Sequence, residues 1–174
     1  MTMSSFNSLS LDPPIVTFHV ATPSRTLDAV TESGQFNIHI LSGDVAGAKV
    51  ADWFTRGNMK DGLWDAEGLK DVGVGTEAVG ETPQDCSAFV PPILHGKGVM
   101  YVLRCKLFDE THDGVVKVGK HAIVLGKVVE ISEGGMGRKH AEERFGLVYT
   151  DRRYRQLGDT LVKTPAVAAA KKKE

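Results

Sequence analysis

His121-Ala122-Ile123-Val124-Leu125-Gly126-Lys127-Val128-Val129-Glu130-Ile131 is apolar on both alternating faces for most of its length. A strand of that kind does not lie with one side in water. It sits inside a barrel or beneath a subunit interface. Gly126 in its middle points to a bulge or a close backbone approach. Just upstream, Val99–Leu107 (VMYVLRCKL) alternates. Val99, Tyr101, Leu103, Cys105 and Leu107 share one face, with Arg104 and Lys106 on the other, which predicts a half-buried strand. Residues 15–20 (IVTFHV) are rich in β-branched side chains and read as a strand. Gln35–Leu41 (QFNIHIL) places Phe36, Ile38 and Ile40 on one face and is another. Residues 147–149 make a short one.

Helices are fewer. Residues 24–33 start on a capping serine, carry Leu27 and Val30 three apart, and meet Gly34, suited to end a short helix. Asp44 caps a second helix running through Thr55, with Val50, Trp53 and Phe54 on one side and Gly57 past its end. From Asn58 to Pro92 no period is sustained, which reads as a long excursion with one short helix or strand. Gly134 to Gly137 form a loop, and residues 138–144 one or two helical turns. Several strands, two early helices and no βαβ alternation argue against a doubly wound sheet. The pattern predicts a mainly β chain, a small antiparallel barrel with peripheral helices. Residues 1–160 form the domain, and 161–174, ending AVAAAKKKE, form a frayed basic tail.

Composition removes several classes of function. In 174 residues there are 21 Lys plus Arg against 22 Asp plus Glu, a net charge of −1. The basic footprint of a nucleic-acid binder is missing. No apolar run reaches the roughly 18 residues of a membrane-spanning helix, and no secretory signal is visible. A cytoplasmic protein is expected, or a mitochondrial one if a presequence lies upstream. Cys86 and Cys105 are the two cysteines, too few for a disulfide framework or a four-cysteine zinc site. The six histidines form no HExxH, and there is no CxxC. His112 and Asp113 in THDG read as a turn. Gly73-Val74-Gly75-Thr76-Glu77-Ala78 fits GxGxxA, yet lacks the buried strand before it that a dinucleotide loop needs. No GxSxG elbow is present, and Cys105 alternates inward as a small hydrophobe.

The start of the chain is different. Thr2, Ser4, Ser5, Asn7, Ser8 and Ser10 surround Phe6 and Leu9, and Ser24, Arg25 and Thr26 stand at a helix start. Hydroxyls, free backbone N–H groups and a guanidinium at a helix N-terminus suit a dianionic phosphate. A disordered serine-rich start and a plain capping serine are the structural alternatives.

Residues 1–16, MTMSSFNSLSLDPPIV, resemble the T-x-S-S-F-x-S-x-S-x-x-P-P segment of the flavin-reductase-like family, the FMN-binding split barrels. Further pieces follow in family order. Ser24 to Leu27 resemble its S-x-T helix start, and Gly34 to Leu41 its G-x-F-x-(V/I)-x-(V/I)-L strand. Ala51 to Phe54 resemble its A-x-x-F helix end. Gly119-Lys120-His121 with Ile123, Gly126, Lys127 and Val128 resemble its G-D-H-x-I-x-x-G-x-V strand. Leu147-Val148-Tyr149 with Tyr154 and Arg155 resemble its closing L-V-Y…Y-R. The resemblance implies an antiparallel split barrel working as a homodimer. It implies FMN, or FAD in its place, with NADH or NADPH as co-substrate and hydride transfer between them. It places Thr2, Ser4, Ser5, Ser24, Arg25 and Thr26 around the flavin phosphate and ribityl chain. The backbone of Phe6, Asn7, Ser8 and Leu9 would lie near the isoalloxazine, and His121 near the nicotinamide. Reduced flavin would go to a partner oxygenase or be used in place. The alternative is a non-catalytic FMN-binding or dimerisation module of the same fold. The family's helix and one or two strands ahead of S-S-F have no counterpart in this sequence, and Lys120 replaces the family's Asp.

Overall fold

The computed structural model describes residues 1–55, 66–77, 91–109, 112–135 and 145–158. In chain order its elements are β1 (Asn7–Leu11), β2 (Pro14–Ala21), α1 (Arg25–Ser33), β3 (Gln35–Leu41) and α2 (Val45–Trp53). Then come α3 (Ala66–Asp71), β4 (Val74–Glu77), β5 (Ile93–Gly96) and β6 (Val99–Leu107). A short 3-10 turn (His112–Gly114), β7 (Val115–Val118), β8 (His121–Glu133), β9 (Val148–Thr150) and β10 (Arg153–Arg155) complete the order.

The sheet is organised around β8. Along one edge it pairs β2, from Ile15 opposite Lys127 to Ala21 opposite His121. Along the other it pairs β7 from His121 to Val124, then β6 from Gly126 to Glu133. With β1 outside β2 and β3 outside β6, the order is β1-β2-β8-β6-β3, with every pair antiparallel. Among the described residues, β1 and β3 are the two ends of the path. The fold is mainly β, as the sequence predicts, with helices at its periphery.

Both helix caps form at the predicted residues. Ser24 Oγ accepts from the Leu27 N–H at 3.3 Å, and Gly34 ends α1 at φ 66°. That left-handed conformation is the reason for glycine there. Asp44 accepts from the Gly47 N–H at 2.9 Å and from the Ser42 hydroxyl at 2.7 Å. Burial works against the Asp44 charge, but these donors hold its carboxyl below its ordinary pKa.

Leu27 and Val30 of α1 pack into a core with Val16, Phe18, Val20, Phe36, Ile38, Leu103, Cys105, Ala122 and Val124. A Cβ on Gly126 would lie 2.4 Å from the tip of the Phe36 ring. The close approach expected of this glycine is therefore to an aromatic side chain. A second core joins Val50, Val74, Ile93, Leu94, Val99 and Val102. It accounts for one correction. Strict alternation along β6 puts Tyr101 inward, yet Tyr101 is 44% exposed while Met100 and Val102 are buried. Val99 and Val102 serve the second core, while Leu103 and Cys105 serve the first. β8 also departs from its simplest reading. Ala122 and Val124 are buried, but Ile123 is 38%, Val129 52% and Ile131 65% exposed. Within one chain, only one face of the strand is covered.

The 58–92 stretch holds α3 and β4, and β4 pairs with β5. The order Asp71, Gly73, Val74 is helix then strand, the reverse of a dinucleotide loop. Gly57, Cys86, residues 138–144 and the tail lie outside the described residues. Among the described residues, no helix is long and apolar enough to cross a membrane.

His39 ties β3 to β5, its Nε2 accepting from the Leu94 N–H at 2.9 Å. Burial first, then repulsion from His95 and the chain's first amino group, lowers its pKa from 6.5 to about 4. His39 is thus neutral when folded, whereas the unfolded chain takes up the proton below about pH 6.5. Stability from this site is full above that pH and is lost as pH falls towards 4. The urea midpoint should fall between pH 7 and pH 5, by up to about 2 kcal/mol in stability. His39→Gln should flatten that dependence. An equal slope in both proteins would remove His39 as its source.

Candidate functional site

The corner where β2 hands over to α1 collects several residues singled out from the sequence. Ala21, the last residue of β2, lies opposite His121, the first of β8. One residue on, the Thr22 N–H donates to the Lys120 carbonyl at 2.9 Å. Ser24, Arg25 and Thr26 follow at the head of α1. The β7–β8 hairpin closes through Gly119 and Lys120, with Val118 opposite His121. Gly119 supplies the positive φ, 58°, that such a two-residue turn needs at its first position.

The opening segment joins this corner through Ser5. Its Oγ accepts from the His19 N–H at 3.1 Å and donates to the His19 carbonyl at 3.3 Å. β1 begins only at Asn7, opposite Thr17. The serine hydroxyl thus takes the place of a neighbouring strand at His19. Asn7 turns back, its Nδ2 donating to the Ser5 carbonyl at 3.2 Å. Ser4, Asn7, Ser8 and Leu9 are exposed. Pairing shifts between Ser8 and Ser10, leaving Leu9 as a bulge residue that is 60% exposed. Phe6 packs its side chain against the first core.

Two hydroxyls have other partners. The Thr2 hydroxyl donates to the Ala51 carbonyl of α2 at 2.7 Å, so it is tied to α2. Ser24 Oγ is occupied as the cap. Arg25 and Thr26 are exposed. Their amide N–H groups precede the first intrahelical bond, from the Asp28 N–H to the Ser24 carbonyl at 3.0 Å. The head of a nine-residue helix, two N–H groups ahead of its first intrahelical bond, a hydroxyl and a guanidinium form a donor set that fits a phosphate dianion.

His121 is exposed at the edge of this corner, and sequence reasoning missed its neighbour. The His19 ring stands edge-on to the His121 ring, centroids 6.4 Å apart and planes at 78°. The signal was present in IVTFHV. Alternation that buries Val16, Phe18 and Val20 turns Thr17 and His19 to the other face. Cys105 carries no site chemistry, because burial pushes its thiol up to about 12. Among the described residues, no group of three His, Cys, Asp or Glu could hold a metal ion.

The sequence and the mainly β antiparallel fold match a known class. The chain belongs to the flavin reductase like domain family, whose model matches residues 1–158. It is 29% identical over 157 residues to the reductase component of 4-hydroxyphenylacetate 3-monooxygenase from Thermus thermophilus, covering 90% of this chain and 78% of that protein. It is 28% identical over 146 residues to the NADH:FMN oxidoreductase of Rhodococcus erythropolis, covering 82% of this chain and 57% of the relative. Among solved structures, the flavin reductase component of a bacterial two-component tryptophan halogenase superposes with a TM-score of 0.61 at 22% identity. That match covers 92% of this chain and 82% of the other. An NADH:FAD oxidoreductase of Streptomyces globisporus, in complex with NAD and FAD fragments, gives 0.61 at 22%, covering 93% and 79%. These structural likenesses establish the fold.

Proposed function

We propose that this chain is a flavin reductase that binds FMN, or FAD in its place, and passes hydride to it from NADH or NADPH. One observation carries the reading. The Thr22–Lys120 and Ala21–His121 contacts bring a phosphate-fitting helix head and an exposed histidine to one corner, in a chain of the flavin reductase family. Arg25, Thr26 and the amides of the first turn of α1 would hold the flavin phosphate. The backbone from Phe6 to Leu9 would border the ring system, and His121 the nicotinamide. When bound, the flavin supplies the hydride acceptor, and the protein supplies orientation. The Thr2, Ser5 and Ser24 hydroxyls act by fixing α2, β2 and α1 around the site. A phosphate contact for any of them requires exchanging the bond it now makes. The exposed Ile123, Val129 and Ile131 are consistent with a homodimer. Relatives that are components of two-component oxygenase and halogenase systems support a partner oxygenase as the user of reduced flavin.

The test is a titration followed by an assay. FMN fluorescence should be quenched at stoichiometric protein, and NADH oxidation should depend on added FMN. Quenching without oxidation would leave the non-catalytic flavin-binding module. No quenching would remove the flavin reading.

Lys120 sits exposed in the β7–β8 turn, and its carbonyl accepts from the Thr22 N–H in the β2–α1 connection. A cation here favours the additional phosphate of NADPH. Lys120→Asp should lower the ratio of kcat/KM for NADPH to that for NADH by about three- to tenfold, the scale of an exposed charge reversal. Equal ratios in the two proteins would discard this role.

A further inference from the structure

We propose that His19 is a positioning residue for His121, fixing the plane of the imidazole that meets the nicotinamide of NADH or NADPH. The inference rests on the preceding reading of His121.

Three observations converge on it. The first is register. His19 lies opposite Ile123, and Ala21 opposite His121. Both histidines therefore stand on the face of the sheet away from Val20, Ala122 and Val124, one step apart on a diagonal that aromatic side chains span. The second is ring geometry. Centroids at 6.4 Å with planes at 78° make an edge-to-face contact, within the range aromatic pairs prefer. The third is backbone fixation. The Ser5 hydroxyl bonds both the N–H and the carbonyl of His19, at 3.1 and 3.3 Å. It holds the residue just where β1 no longer runs beside β2.

An exposed imidazole at a strand start, beside a hairpin turn, has several rotamers open to it. A ring on a fixed neighbouring strand reduces that choice. A site that binds a planar ring gains affinity when the group it meets is already oriented. His19 thus acts on co-substrate binding through His121, and not on the flavin phosphate at the head of α1. This also gives the Ser5 hydroxyl a role. It reaches the co-substrate indirectly, by holding His19.

The experiment uses the full chain with FMN and varies NADH. His19→Ala should raise KM for NADH about three- to tenfold, the scale of one aromatic edge-to-face contact. It should leave kcat within about twofold and FMN quenching unchanged. His19→Phe keeps a ring in the same place without ring nitrogens and should restore KM. In the double variant with His121→Ala, the His19→Ala change should add nothing to the effect of His121→Ala alone. Three results would overturn the proposal: His19→Ala without effect while His121→Ala raises KM, His19→Phe as impaired as His19→Ala, or additive effects in the double variant. If His121→Ala itself leaves the kinetics unchanged, the reading of His121 fails and the proposal goes with it.

Discussion

Replacing Arg25 and Thr26 together with alanine is expected to weaken FMN binding by about 3–6 kcal/mol, since each charge-assisted bond contributes about 1.5–3 kcal/mol. That is at least about a hundredfold in dissociation constant. Riboflavin, which lacks the phosphate, should bind both proteins alike. The pair is chosen because the hydroxyls of Ser5 and Ser24 already have partners, so replacing those would disturb β2 and α1 as well. Both Arg25 and Thr26 are exposed, so the variant should fold as the parent does. Fluorescence quenching titrations with the two flavins decide the matter. Parallel losses for FMN and riboflavin, or no loss for FMN, would remove the helix head as the phosphate site.

The second large effect is on the fold. Phe36 is 6% exposed and meets Phe18 edge-to-face, with ring centroids 5.5 Å apart. Its ring also covers the backbone of Gly126. From β3 it reaches past β6 to the middle of β8, binding the outer strands to the central one. Phe36→Ala should cost about 3–5 kcal/mol through lost burial and the cavity left behind. That is a large share of the roughly 5–15 kcal/mol that stabilises a domain. Urea unfolding followed by circular dichroism should show a much lower midpoint. A midpoint near that of the parent would mean the core closes without this ring.

Some features of the fold are legible in the sequence and others are not. Local signals sufficed for α1, where Ser24 and Gly34 bracket an apolar pair, and for β3, where Phe36, Ile38 and Ile40 alternate. The second core was hidden because Met100 and Val102 interrupt the alternation. The burial of Val102 depends on packing with Val50 of α2, Val74 of β4 and Ile93 and Leu94 of β5, a non-local fact. The strand order was hidden for the same reason. β2 lies beside β8 across a hundred-odd residues of chain, and no local pattern specifies that. At the site, residue types were legible but their commitments were not. Thr2 and Ser5 look alike as hydroxyls near a phosphate. Only the fold shows one bonded to α2 and the other to β2. Alternation in IVTFHV gives the face on which His19 stands, but only the register of β2 on β8 sets it beside His121.

The central claim is that this chain mediates hydride transfer from a nicotinamide to a flavin. Mixing it anaerobically with equimolar FMN and excess NADH tests that most directly. The account predicts bleaching of the flavin's visible absorbance much faster than in protein-free buffer, and slower with NADH deuterated at the transferred position. Flavin that stays oxidised at the protein-free rate would contradict it.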